Sequence, residues 1–408
     1  MSALAEREAA AARTGGGFTL LELVVVMGIL AGFLVMLVQL VDIGLRLFRD
    51  GEVSQALADR TSRAERLIRD ELRALRGGTT GRDRTTFDDR LVVQSLPIGL
   101  PARPERGASR VQVLRGAVRL SPDRELALIE SNLAAQVLRE NGELPPAEVE
   151  LRVAAKLQTE PLRGIGNLLL LPWRQEGEDD ALLELRVAWL LPGQLVPLGP
   201  DRWIDPFTVW VPGSPDLPAV LVERITTPIL DDLLHVEFAF WSQRTLGWNQ
   251  NRTATGGGTG PEQLWDSVRG GWLVDEATGG EWAFDRGPDS LRDPTDDIHP
   301  HAIRVVCVVA QPRDLAPEGL LANGMGQDDL SLTLLDGERF PGPIDGGWVK
   351  VRGEWMHYAE RVGDRLSGLR RGQRSTKVIE HPPGVRVHVG RTVEFVIPVA
   401  HAKDDWNG

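Results

Sequence analysis

The feature that most constrains this chain is the apolar run over 18–41, in which Glu22 and Gln39 are the only strongly polar side chains. At ~1.5 Å per helical residue, a run of this length crosses a ~30 Å hydrocarbon core, so it predicts a membrane-spanning helix. A general secretory signal fits poorly, because its apolar core is shorter and its small-residue cleavage site follows that core. Here Gly15, Gly16 and Gly17 precede the run. The leader over 1–17 holds Arg7 and Arg13, matched in net charge by Glu6 and Glu8. Because lysine and arginine set orientation and acidic residues count for little, the two arginines are expected to keep the N-terminus in the cytoplasm and send the remainder across. A carboxylate a few residues into such a helix is costly unless a partner compensates it, so Glu22 calls for one.

The stretch that opens Gly17-Phe18-Thr19-Leu20-Leu21-Glu22-Leu23 and continues through Val24-Val25-Val26-Met27-Gly28-Ile29-Leu30-Ala31-Gly32 resembles the class III signal of type IV prepilins and type II secretion pseudopilins. The resemblance implies cleavage by a prepilin peptidase between Gly17 and Phe18, N-methylation of Phe18, and pairing of Glu22 with the free amine of a neighbouring subunit during assembly. It also implies a long N-terminal helix, half in lipid and half packed on a globular head. An ordinary uncleaved anchor is the plainer reading of the same run, but it gives no reason for a glutamate at this depth.

The 408 residues suffice for an anchor plus one large or two modest domains. With a net charge of −12 and a pI of about 5.2, no basic surface advertises nucleic-acid binding. Cys307 is the only cysteine, which excludes an intramolecular disulfide. Its setting between Val306 and Val308 reads as a buried small hydrophobe in a strand.

Past the membrane, Ile43, Leu47, Val53, Leu57, Ala64, Leu67, Ile68, Leu72 and Leu75 recur at mostly helical spacing. The helix is therefore expected to continue over 42–76, a rod of roughly 88 Å from residue 18 at ~1.5 Å per residue. Asp59 with Arg63 and Glu65 with Arg69 stand at i,i+4 on its charged face, and Gly77-Gly78 offers a stop. In 79–328, strands are expected at 91–94, 111–114, 149–153, 167–171, 182–190, 207–211, 219–225 and 233–241. Ser121, Pro122 and the apolar Leu126, Ile129, Leu133 and Val137 mark one inner helix over 122–139, closed by Asn141-Gly142. The expected fold is α+β and pilin-like: a long N-terminal helix, with transmembrane and amphipathic halves, packed on a mainly antiparallel β head with an extra β-rich C-terminal section.

An aromatic strand at 233–241, then Trp248 and Leu264-Trp265-Asp266-Ser267, then Ala302-Ile303-Arg304-Val305, resembles the head of J-type minor pseudopilins and W-type minor pilins, with 270–300 as an added loop. The section 329–408 has shorter strands and many turn pairs. Within it, Gly353-Glu354-Trp355-Met356-His357-Tyr358, Leu366-Ser367-Gly368-Leu369-Arg370-Arg371-Gly372 and His381-Pro382-Pro383-Gly384 resemble a small β module of some large prepilin-like and phage-tail proteins, to which no activity attaches. The run 393–397 reads as a closing strand, so the module is either inserted in the head or appended to it.

No spacing matches a strong metal or nucleophile motif, and no residue is assigned to catalysis. The nearest approach to an ion site is Asp289, Asp293, Asp296, Asp297, His299 and His301; Asp296, Asp297, His299 and His301 are its candidate ligands, although a solvated loop without calcium-loop spacing explains the same residues. Trp241, Trp248, Trp265, Trp272 and Trp282 form either a binding platform or, as large aromatics usually do, anchors for core and loops. The acidic pairs Asp179-Asp180, Asp231-Asp232 and Asp328-Asp329 read as solvated turns. The resemblance implies a structural, non-catalytic minor pseudopilin, J-like, that requires no cofactor and works in the inner membrane and periplasm. Its expected partners are other major and minor (pseudo)pilins, the prepilin peptidase and the inner-membrane assembly platform. The alternatives are a minor pilin of a type IV pilus serving adhesion, DNA uptake or motility, and a membrane-tethered periplasmic binding protein.

Overall fold

The computed structural model describes residues 19–75, 91–97, 110–174, 181–194, 196–197, 203–204, 224–242, 247–250, 262–267, 272–275, 281–283, 300–310, 319–337, 340, 342, 346–374 and 376–399. The chain divides into two compact units, Met1–Gln55 and Ala56–Gly408. The expected helix is present as α1 (Leu20–Leu72), continuous through Gly28, Gly32, Gly44 and Gly51. In the first unit its large apolar side chains from Leu20 to Phe48 are exposed, and Leu20–Leu45 is long and apolar enough to cross a membrane.

In the second unit α1 buries Leu57, Thr61, Ala64, Ile68 and Leu72, a stripe at three- and four-residue spacing that joins the main core. Arg60 pairs with Asp232 at 2.6 Å, and Arg69 pairs with Glu65 at 2.6 Å as the i,i+4 spacing predicts. The helix gives way to a short turn, and Leu75 bridges to Val118. Gly77 and Gly78 lie outside the described residues.

Beyond α1 the elements run β1 (Val92–Pro97), β2 (Arg110–Arg119), α2 (Pro122–Asn141), α3 (Pro146–Leu157), β3 (Ile165–Arg174), β4 (Leu183–Leu190), the short pair β5 (Val196–Pro197) and β6 (Trp203–Ile204), β7 (Thr227–Ser242), β8 (Gly247–Gln250), β9 (Glu262–Asp266), β10 (Trp272–Asp275), β11 (Glu281–Ala283) and β12 (Ala302–Ala310). There follow β13 (Gly319–Leu320), β14 (Ser331–Thr333), β15 (Gly347–Val351), β16 (Glu354–Tyr358), β17 (Glu360–Val362), β18 (Arg365–Ser367), β19 (Arg370–Gln373), β20 (Arg386–His388) and β21 (Gly390–Pro398). An eleven-stranded sheet runs β11-β10-β8-β7-β4-β3-β2-β1-β9, and β12 joins β7 and carries β21 on its other side. Every strand pairing is antiparallel. The protein is therefore α+β, with a long apolar N-terminal helix and an antiparallel β head.

The inner helix α2 starts as its sequence predicts: Ser121 Oγ accepts from the Arg124 N–H, and Gly142 ends the helix at a φ of 76°. The strand expected at 149–153 is instead α3. Pro145 and Pro146 begin a turn, and Val149, Val153 and Leu157 recur every fourth residue to form one half-buried side; a short apolar run is compatible with either period until length and start signals are weighed. The segment 207–211 and residues 219–223 of the strand expected at 219–225 lie outside the described residues.

Along β7 the alternate residues Val236, Phe238 and Phe240 lie in the core, but the register against β12 shifts between Val308 and Val309. That bulge takes Leu234 off the core face and sets it with Val308, Ala310 and Trp355. Asp232, expected in a solvated turn, sits within β7 at a φ of 57°, a conformation aspartate tolerates, and is held by Arg60.

Strands β12 and β21 pair along their full length, from Ala302 opposite Pro398 to Ala310 opposite Gly390. The closing strand is thus the neighbour of β12, and the chain between them leaves the sheet and returns to it. What it builds there is a β module with a five-stranded sheet, β13-β20-β15-β16-β19, a three-stranded sheet, β14-β18-β17, and its own core around Leu321, Val349, Met356, Tyr358, Leu366 and Val387.

Candidate functional site

The start of α1 is built by Thr19 and Glu22. The Thr19 N–H and Oγ–H each lie 3.0 Å from Glu22 Oε2, and the Glu22 N–H donates back to Thr19 Oγ at 3.3 Å. This reciprocal cap satisfies helix N–H groups that otherwise have no acceptor. Both contacts to the Glu22 carboxylate fall on Oε2. The signal for this arrangement was legible as Thr-x-x-Glu ahead of an apolar run, but the sequence reading singled out Glu22 without Thr19. Gly17 and Phe18 lie outside the described residues.

The motif residues of the inserted module converge on one buried carboxylate. Glu354, wholly buried, accepts from Arg371 Nε at 2.6 Å and Nη2 at 2.8 Å, from the Gly372 and Ile379 N–H groups at 3.1 Å each, and stands 2.9 Å from His381 Nε2. Burial pushes the carboxyl up, but the bonds from Arg371, His381 and Ile379 outweigh it and hold it at about 2. Arg371 also donates to the Gly326 and Ile379 carbonyls, each at 2.7 Å, so it ties three separate segments together. The period of two along β16 explains the rest of the pattern: Glu354, Met356 and Tyr358 face the module's own core, and Trp355 faces away. Gly372 and Gly384 take φ values of 63° and 78°, a region that favours glycine.

The opposite face of β15 and β16 seats the module on the main sheet. Trp355 packs among Ala181, Leu182, Leu234, Val308 and Ala310, and buried Lys350 donates to the Ala181 and Leu234 carbonyls at 2.7 and 2.6 Å. His235, on β7, meets the Trp355 ring edge-on at 6.0 Å and lies 3.3 Å from Glu237 Oε2. Arg374 lies over both Trp355 and Trp348, 4.5 and 4.8 Å from the ring centroids. None of these junction residues was singled out as a cluster from sequence, because they meet only through non-local pairing.

Of the tryptophan group, Trp265 is a core anchor, fully buried against Phe240 with ring centroids 4.9 Å apart, and the half-buried Trp241 and Trp248 meet each other at 5.6 Å. The side chains of Trp272 and Trp282 lie outside the described residues. So do Asp289, Asp293, Asp296, Asp297 and His299; His301 precedes β12, its N–H donating to the Trp241 carbonyl at 2.8 Å. Among the described residues, no three histidine, cysteine or acidic side chains gather as a metal site. Cys307 is buried in β12, as expected, and burial pushes its thiol up to about 12, which leaves it unreactive.

Fold and side chains together define an α+β protein with, among the described residues, one helix of membrane-spanning length and an antiparallel head that carries an inserted, polar-locked β module. No family model, no curated protein and no solved structure matches the chain.

Proposed function

We propose that this chain is a minor pseudopilin, a structural and non-catalytic subunit of the periplasmic pseudopilus of a type II secretion system. The observation that carries this reading is the run from Gly17 to Gly32 with its single glutamate, at the start of a helix that is long and apolar enough over Leu20–Leu45 to cross a membrane and is packed on an antiparallel sheet from Leu57 onward. In this reading an inner-membrane precursor is cut between Gly17 and Phe18, Phe18 is N-methylated, and the helix enters the polymer. Thr19 engages Glu22 through Oε2 only, and among the described residues Oε1 takes no hydrogen bond. That oxygen is the one available to a neighbouring subunit's amine, which relieves the cost of a carboxylate in hydrocarbon. Work on the secreted substrate would be mechanical, through the head.

Mass spectrometry of the native protein purified from membranes tests this directly. The expected N-terminal residue is methylated Phe18. An intact Met1 terminus with unmethylated Phe18 overturns the proposal.

A further inference from the structure

The seat of the inserted module contains one titratable group in an unusual setting. The His235 side chain is only 12% exposed, at the bulge where β7 meets β12, with Trp355 of the module against its edge. Its own strand supplies Glu237, 3.3 Å from Nε2. From the module it is faced by two cations, Lys350 on β15 and Arg374 just past β19, and from β12 Arg304 acts on Glu237. Burial disfavours the charged ring, and Arg374 and Lys350 add to that. The hydrogen bond and charge of Glu237 pull the other way but offset only part, so the imidazole is held below its ordinary 6.5. Neutral His235 is therefore compatible with the docked module, and protonated His235 is opposed by two cations across a largely buried contact.

We propose that His235 is an acid-operated latch: as a neutral ring it lets Trp355 and Lys350 seat the module on the main sheet, and on taking up a proton it loosens that seat. The direction follows from linkage. A ring that binds its proton more weakly when docked favours the docked state fully at high pH, and loses that advantage as pH falls below the undocked value of ~6.5, by at most about tenfold in the docking equilibrium per pH unit and until the docked ring itself takes up the proton. Loosening uncovers Trp355, Leu234, Val308 and Ala310, which are buried together when the seat is closed.

Thiol labelling of the full chain in detergent tests the latch. Ala181 lies fully buried against Trp355, so Ala181→Cys, placed in a Cys307→Ala background, reports on the seat. Its reaction with dithiodipyridine, which proceeds at acid pH, is measured between pH 7.5 and 5 relative to the urea-unfolded chain at each pH. Protection is expected to fall below ~6.5, by at most about tenfold per unit, while native Cys307, labelled in the unmutated protein, stays protected because the main core is intact. His235→Gln is expected to abolish the pH dependence, and His235→Lys to leave the seat labelled at pH 7.5. Protection that is independent of pH in the His235 protein, or an equal fall in His235→Gln, overturns the proposal.

Discussion

The Arg371 guanidinium grips the Glu354 carboxylate through two parallel N–H···O bonds of 2.6 and 2.8 Å inside the inserted module. A paired charge of this kind is costly to break from one side, because the remaining ion stays buried without compensation. Glu354→Gln is therefore expected to destabilise the module by about 3–5 kcal/mol in urea unfolding. Exchanging both partners, Glu354→Gln with Arg371→Met, is expected to recover part of that loss, since replacing a whole buried pair is often close to neutral. A single variant within about 0.5 kcal/mol of the parent, the usual range for surface changes, would show that the grip carries no stability.

The same carboxyl sets an acid limit. Glu354 is held at about 2 against an ordinary 4.5, so its contribution is fully present above ~4.5 and is lost as pH falls from there toward 2, in all about 3 kcal/mol. Unfolding midpoints measured from pH 6 down to pH 2.5 should fall in that window, and Glu354→Gln should flatten the slope. The His235 effect sets in from ~6.5 and the Glu354 effect only from ~4.5, so the module's seat begins to loosen at a higher pH than its internal lock.

Lys350 crosses between the module and the main sheet to reach the Ala181 and Leu234 carbonyls. Lys350→Met keeps most of the side-chain stem but removes both bonds, and hydrogen bonds from a charged donor contribute about 1.5–3 kcal/mol each. Increased thiol labelling at Ala181→Cys, with Cys307 in the parent sequence still protected, is the expected readout. Unchanged labelling would mean that Trp355 packing alone holds the seat.

What the sequence revealed and what it hid divide along the range of the interactions. The apolar run, the Ser121 cap of α2 and the alternation in β7 are local, and each was legible in a window of a few residues. Val149 and Val153 were misread as a strand because the run is short and the half-buried side of α3 is thin. The bulge at Leu234 was invisible, since it exists only in register with β12. The insertion was left open because pairing of residues 302–310 with 390–398 is non-local. For the module, the positions of Glu354, Arg371 and His381 in the pattern were visible, but that all three meet at one carboxylate was not.

Thr19 and Glu22 separate two roles that the sequence merges into one glutamate. Thr19→Val removes the hydroxyl that both accepts from the Glu22 N–H and donates to its carboxylate, and loss of such a cap costs about 1 kcal/mol of helix stability. If α1 spans the membrane as proposed, a helix of this apolarity tolerates that loss, so insertion should be unchanged. In the same reading Glu22→Ala also removes a charge from the hydrocarbon, which makes insertion easier rather than harder. If Oε1 serves a neighbour's amine, Glu22→Ala should insert normally yet be recovered poorly in sheared pseudopilus fractions, whereas Thr19→Val should retain most of its incorporation. Equal incorporation of Glu22→Ala and the parent protein would assign the carboxylate to the cap alone.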